Sequence, residues 1–140
     1  MQDFNIGIDC EDIGRWREML PKINTGPQRK FFSKNEHGYC QSRRDPARHY
    51  AVRWCAREAL LKALSPFFSI DLRSVAVSRN GDGRPYFIIP GHVQNIQDFE
   101  IQLSMSHSEN TAFAAVIVVR ASSSIDNLTL PPNFNFPKVP

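Results

Sequence analysis

Asp45-Pro46-Ala47-Arg48-His49-Tyr50-Ala51-Val52-Arg53-Trp54-Cys55-Ala56-Arg57-Glu58-Ala59-Leu60-Leu61-Lys62-Ala63-Leu64-Ser65-Pro66 decides the fold of this chain. Asp45 is an N-cap residue, and Pro46 suits the first helical position. Ser65-Pro66 stops the run, because proline cannot continue a helix. The stretch therefore predicts one long helix over about 46–64. Glu58 and Lys62 stand one turn apart and project from one face, with Trp54 a turn earlier on the same stripe. Such a pair is either a surface ion pair or the lining of a pocket. In a magnesium–phosphate site a carboxylate holds the metal and a lysine meets a phosphate oxygen.

Upstream, Phe4-Asn5-Ile6-Gly7-Ile8-Asp9-Cys10 alternates with period two. Phe4, Ile6, Ile8 and Cys10 share one face; Asn5, Gly7 and Asp9 share the other. This reads as a half-buried strand ending in an acid on its polar side, with Gly7 leaving room for something to approach. A short helix carrying Ile13, Trp16 and Leu20 is expected to stop at Pro21. Residues 22–30 read as a basic loop. Ser33-Lys34-Asn35-Glu36 fits a capping box. Downstream, 70–78 and 85–89 read as strands around the turn Asn80-Gly81-Asp82-Gly83. Residues 92–98 suggest a brief helix. Residues 100–106 alternate, with Ile101, Leu103 and Met105 on one face. The apolar run 112–119 reads as a strand buried on both faces. The result is an α+β domain, a mainly antiparallel sheet packed on one long helix plus shorter helices. We place this domain over 1–121 and a proline-rich extended tail over 122–140.

With 41% hydrophobic residues, the 140-residue chain can bury one core. Its net charge of +3 is too small to imply nucleic acid by itself. The charge is uneven, however: 29–62 holds nine Lys or Arg against three Asp or Glu. That stretch is either a solvated basic face or a docking patch for an anionic partner. Its aromatics show no stacking pattern for single-stranded nucleic acid. Cys10, Cys40 and Cys55 lack disulfide or zinc spacing. No signal peptide and no membrane-length apolar run are seen, so a cytoplasmic location without a membrane partner is expected.

Five segments then form an ordered set. They are Ile6-Gly7-Ile8-Asp9 with Ile13 and Arg15; Phe32 through Glu36; Ala56 through Leu64; Gly83-Arg84-Pro85; and Ser104-Met105-Ser106-His107-Ser108 followed by Ala112, Ala114 and Val116. Their order and separations resemble the holo-acyl-carrier-protein synthase family of 4′-phosphopantetheinyl transferases over about residues 4–120. The resemblance implies Mg²⁺-dependent transfer of 4′-phosphopantetheine from coenzyme A to a serine of an apo acyl carrier protein. It implies Asp9 and Glu58 as metal ligands, and Glu58 and Lys62 as catalytic residues. Lys62 would contact the pyrophosphate and assist proton movement from the serine. Gly83 and Pro85 would hold the adenine by backbone contacts, and Ser106 and His107 would meet the nucleotide's phosphates. Arg53 and the Arg43-Arg44 pair would serve coenzyme A phosphate or the carrier. An acidic carrier would suit the basic stretch, and a homotrimer with sites at subunit interfaces is implied. Two features depart from the family: Arg57 replaces the usual lysine, and Ser65-Pro66-Phe67-Phe68 replaces a glycine-bearing turn.

Other readings use the same residues. The chain could be a non-catalytic module binding coenzyme A or a carrier, or a small basic nucleic-acid-binding domain. Asp9 could be an acid favouring the next helix's N-terminus. His107 shares the parity of Met105 and could be a tucked core histidine. Residues 80–84 could be a plain hairpin turn, and Trp54 core packing. His37, His49 and His92 carry no pattern and are read as surface residues.

Overall fold

Small residues make α3 (Pro46–Leu64) the hub of the structure, a computed structural model describing residues 4–121. The expected tail over 122–140 lies outside the described residues. Ala47, Ala51, Ala56, Ala59 and Ala63 are all fully buried along α3. They let other backbones approach the helix closely. Against it lies a three-stranded antiparallel sheet of β1 (Phe4–Asp12), β5 (Thr111–Arg120) and β4 (Phe99–His107), in the order β1-β5-β4. α1 (Ile13–Thr25) and α2 (Lys34–Gln41) pack on the α3 N-terminal half. A separate hairpin pairs β2 (Ala76–Arg79) with β3 (Pro85–Ile88). The α+β architecture matches the expectation, and α3 keeps the bounds its flanking prolines set.

The polarity of β1 is the reverse of an ordinary half-buried strand. Its apolar row, Phe4, Ile6 and Ile8, points outward and is more than half exposed. Its polar row faces α3. A Cβ on Gly7 would lie 1.9 Å from the Ala59 carbonyl oxygen, so the partner approaching Gly7 is α3 itself. Asn5 donates to the Ala63 carbonyl at 2.9 Å and helps close this seam. β5 is likewise not buried on both faces. Ala112, Ala114, Val116 and Val118 face the core, whereas Phe113 and Ile117 join the exposed row.

Other expectations need correction. α1 does not stop at Pro21 but continues to Thr25. Proline removes one backbone donor, and burial of Ile23 beyond it offsets that loss. The expected loop over 22–30 is thus partly helix, followed by a 3₁₀ turn, Pro27–Phe31. Of the strand expected over 70–78, only 76–78 is extended within β2. Asp71 instead caps a 3₁₀ turn at Leu72–Ser74, and Ile70 and Val75 plug the core. The helix expected over 92–98 is a single 3₁₀ turn, Ile96–Asp98. The capping box forms as read, with Ser33 and Glu36 bonded reciprocally.

Candidate functional site

Lys62 sits at the C-terminal end of α3, and its partner is not the Glu58 of its own stripe. Its ammonium donates to Asp9 Oδ1 at 2.8 Å and to the Ile8 carbonyl at 3.0 Å. The ion pair fixes the end of α3 against β1. It also raises the Lys62 pKa, chiefly through the hydrogen bond to Asp9. Asp9 does not cap α1; Asp12 does, accepting from the Arg15 backbone N–H. The second carboxylate oxygen of Asp9 is buried and has no hydrogen-bond partner. An orphaned carboxylate oxygen is costly unless something positive meets it.

Glu58 lies within electrostatic reach of that oxygen. Its carboxyl is pushed up, first by partial desolvation, then by the charges of Asp9 and Glu11. Glu11 was missed by the sequence reading, although it has the strand parity of Asp9. Its Oε2 accepts from the Trp16 indole N–H at 3.0 Å. The three acids make a locus of negative potential at the α3–β1 seam. Among the described residues no three His, Cys, Asp or Glu side chains gather into a metal cage. Magnesium needs only one or two carboxylates and keeps its waters, so the orphan oxygen and the raised Glu58 fit such an ion.

A cavity of about 430 Å³ opens beside the Asp9–Lys62 pair on the outer sheet face, lined by Ile8, Cys10, Ser104, Ser106, Phe113 and Ala115 among others. Ser106 lines the same cavity, but it stands in the outward row with Ile8, Cys10 and Phe113, whereas Asp9 stands in the row that faces α3. His107, the next residue on β4, goes elsewhere. It is exposed, not tucked in the core, and its ring lies 6.1 Å from that of His49.

His49 belongs to a second, basic cluster. Its ring meets Tyr39 edge-on at 5.6 Å, and the Arg43 and Arg53 guanidinium groups lie over Tyr39 at 4.3 and 4.2 Å. Burial, then the charges of Arg53, His107, Arg43 and Arg48, depress the His49 pKa to about 4. Reading His49 as a patternless surface residue was therefore wrong; so was the same reading of His37. His37 is buried, accepting from the Tyr50 hydroxyl at 2.8 Å and donating to the Arg29 carbonyl at 2.7 Å. Arg53 and Arg57 are also buried, which withdraws both from the exposed basic stretch. Arg53 borders a cleft of about 340 Å³ between α2, α3 and β2, together with Tyr39, Glu36 and Arg79. The Arg53 cluster lies about 13 Å along α3 from Lys62. Gly83 takes the left-handed conformation, φ 87°, in the hairpin turn, and its carbonyl accepts from Arg79 at 2.6 Å. Trp54 is partly buried and stacks on Phe31 at 5.8 Å. The chain thus unites Asp9, Glu58 and Lys62 at the α3–β1 seam, sets Ser106 on the outer face of the sheet two strands away, and holds Arg53, His107 and Gly83-Pro85 apart from them.

Residues 5–118 match the model of the 4′-phosphopantetheinyl transferase superfamily. A holo-[acyl-carrier-protein] synthase of Syntrophotalea carbinolica is 34% identical over 118 residues, covering 80% of this chain and 92% of that protein. Its counterpart from Syntrophus aciditrophicus is 36% identical over 118 residues, with the same coverage of 80% and 92%. Among solved structures, the Chronobacterium ammoniagenes ACPS–CoA complex superposes with a TM-score of 0.72 at 25% identity, covering 85% of this chain and 98% of that one. The Mycobacterium tuberculosis acyl carrier protein synthase gives 0.64 at 30% identity, with 83% and 96% covered. The chain belongs to the 4′-phosphopantetheinyl transferase superfamily, and within it to the holo-[acyl-carrier-protein] synthase enzymes.

Proposed function

We propose that this enzyme transfers 4′-phosphopantetheine from coenzyme A to a serine of an acidic apo acyl carrier protein, with Mg²⁺, in the cytoplasm. The observation that carries the reading is the orphaned Asp9 oxygen facing a negative locus shared with Glu58, beside a protonated lysine. Asp9 and Glu58 would hold the metal. When bound, the ion would neutralise charge developing on the diphosphate. Lys62, its pKa raised, stays protonated at neutral pH and offers a second positive charge to the diphosphate. It is a charge donor there rather than a base. The serine hydroxyl attacks the phosphorus that bears pantetheine. A new O–P bond forms as the bond to the bridging oxygen breaks, and adenosine 3′,5′-bisphosphate departs. The serine proton leaves through water.

The Arg43 and Arg53 guanidinium groups gathered over Tyr39, beside the His49 and His107 rings, support an anionic ligand there. We assign it to the nucleotide phosphates, with the Gly83–Pro85 turn at the adenine. Arg43 and Arg44, both exposed, remain available to phosphate or carrier. The separation of the two groups within one protomer favours a homotrimer with shared sites. The exposed apolar row on β1 and β5 supports the same arrangement. Residues 1–121 would be the transferase unit, with 122–140 appended to it. No helix among the described residues is long and apolar enough to cross a membrane.

The test is to incubate the protein with coenzyme A, Mg²⁺ and a panel of apo carrier proteins, then read the intact mass of each carrier. A phosphopantetheine gain on at least one is expected. No gain from well-folded protein counts against the reading. Coenzyme A binding without any gain would select the non-catalytic module instead.

A further inference from the structure

A buried charged knot joins the hairpin to the helices. Glu36 is 2% exposed, and its carboxylate serves three elements. Oε2 accepts from the Ser33 backbone N–H at 2.8 Å within α2's cap, and Oε1 accepts from the Val77 N–H of β2 at 2.9 Å. Both oxygens lie 2.7 Å from Arg57 Nη2 on α3. Arg57 is fully buried, donates also to the Phe31 carbonyl, and lies over the Phe32 ring at 4.9 Å. Capping alone does not require this arrangement, since a capping box uses one oxygen. A buried ion pair is also weak evidence of net stability, because desolvation offsets its attraction. What a charged, directional contact supplies is fixed geometry.

The geometry concerned is that of the hairpin against α3. β2 and β3 form their own two-stranded sheet and are not hydrogen-bonded into the main sheet. Val77 pairs with Phe87, and the strand leads into the Gly83–Pro85 turn. Glu36 also walls the cleft that Arg53 borders. We propose that Glu36 is a positioning residue: seated against Arg57, its carboxylate holds the hairpin through the Val77 N–H at the correct distance from Arg53, and thereby sets coenzyme A affinity without touching the reacting atoms. The inference rests on the nucleotide assignment of Gly83–Pro85 and Arg53.

Two neutral double variants isolate the tie. Glu36→Gln/Arg57→Met removes both charges and keeps an amide oxygen for the Val77 N–H. Glu36→Leu/Arg57→Met removes both charges and the acceptor. We expect the first to keep KM for coenzyme A within about threefold of the parent, and the second to raise it about tenfold at nearly constant kcat. Faster amide exchange over 76–79 should accompany the second variant only. Parent-like coenzyme A affinity in the second variant would overturn the proposal. So would equal KM losses in both, which would assign the effect to lost charge. Should the second variant fail to fold, the parent supplies the test: coenzyme A must increase protection of the amides over 76–79, and unchanged protection overturns the proposal. A parent that binds no coenzyme A brings down the functional reading, while the exchange difference between variants still tests the tie.

Discussion

Asp9 and Lys62 are 53 residues apart in sequence, yet their contact determines what Glu58 can do. With Lys62 held by Asp9 and the Ile8 carbonyl, Glu58 faces two other acids and only part of the lysine's charge. Glu58→Gln should reduce transfer by about two orders of magnitude or more while circular dichroism and thermal midpoint stay near the parent. Parent-like activity would remove Glu58 from the site. His49 supplies a pH signature of its own. Its folded pKa of about 4 is below the ordinary histidine value of 6.5, so the unfolded chain takes up protons first as pH falls. Its contribution to stability is fully present above pH 6.5 and is lost as pH falls toward 4. After allowance for solvent screening, the loss should be on the order of 1 kcal/mol. Urea unfolding at pH 7 and pH 5 should show it, and His49→Phe should flatten the difference. The acid and lysine were legible because their residue types and helical spacing are local facts. The change of Lys62's partner was not, because it depends on β1 lying across α3. Most of the charge around His49 comes from Arg43, Arg48 and Arg53 of its own basic stretch; the approach of His107 from β4 and the burial beside Tyr39 depend on the fold and were not legible.

At the scale of elements, the α3–β1 seam is the contact that builds the site. Gly7 permits it, since any Cβ there meets the Ala59 carbonyl. Gly7→Ala should destabilise the fold by about 3 kcal/mol, read as a lower urea midpoint, with transfer falling alongside because Asp9 is displaced from Lys62. An unchanged midpoint would mean the seam is looser than the geometry says. The bounds of α3 were readable from Asp45-Pro46 and Ser65-Pro66, as was the hairpin from its glycine-rich turn. The orientation of β1 was not readable. Alternation tells which residues share a face, but not which face meets the core. The same limit explains β5, whose unbroken apolar run covers one core-facing row and one outward row. Pro21 misled for a different reason: a local helix-breaking preference yielded to burial of Ile23 two residues later.

For the whole molecule, the proposed trimer would account for both the apolar outer face of the sheet and the division of the candidate site into two groups. Ile6 pairs directly with Ile117, and both are exposed. Ile6→Glu/Ile117→Glu should yield a monomer by sedimentation, with transfer reduced by about two orders of magnitude, because the acids and the nucleotide contacts then no longer meet. Full activity in a monomer would contradict shared sites. The underlying claim is that Asp9 and Glu58 converge on one divalent cation beside coenzyme A's diphosphate. Crystals grown with coenzyme A and Mn²⁺ test it most directly. The account predicts an anomalous peak bridging the Asp9 and Glu58 carboxylates, with the diphosphate next to Lys62. A diphosphate bound away from Lys62, or a peak that contacts neither acid, would contradict it.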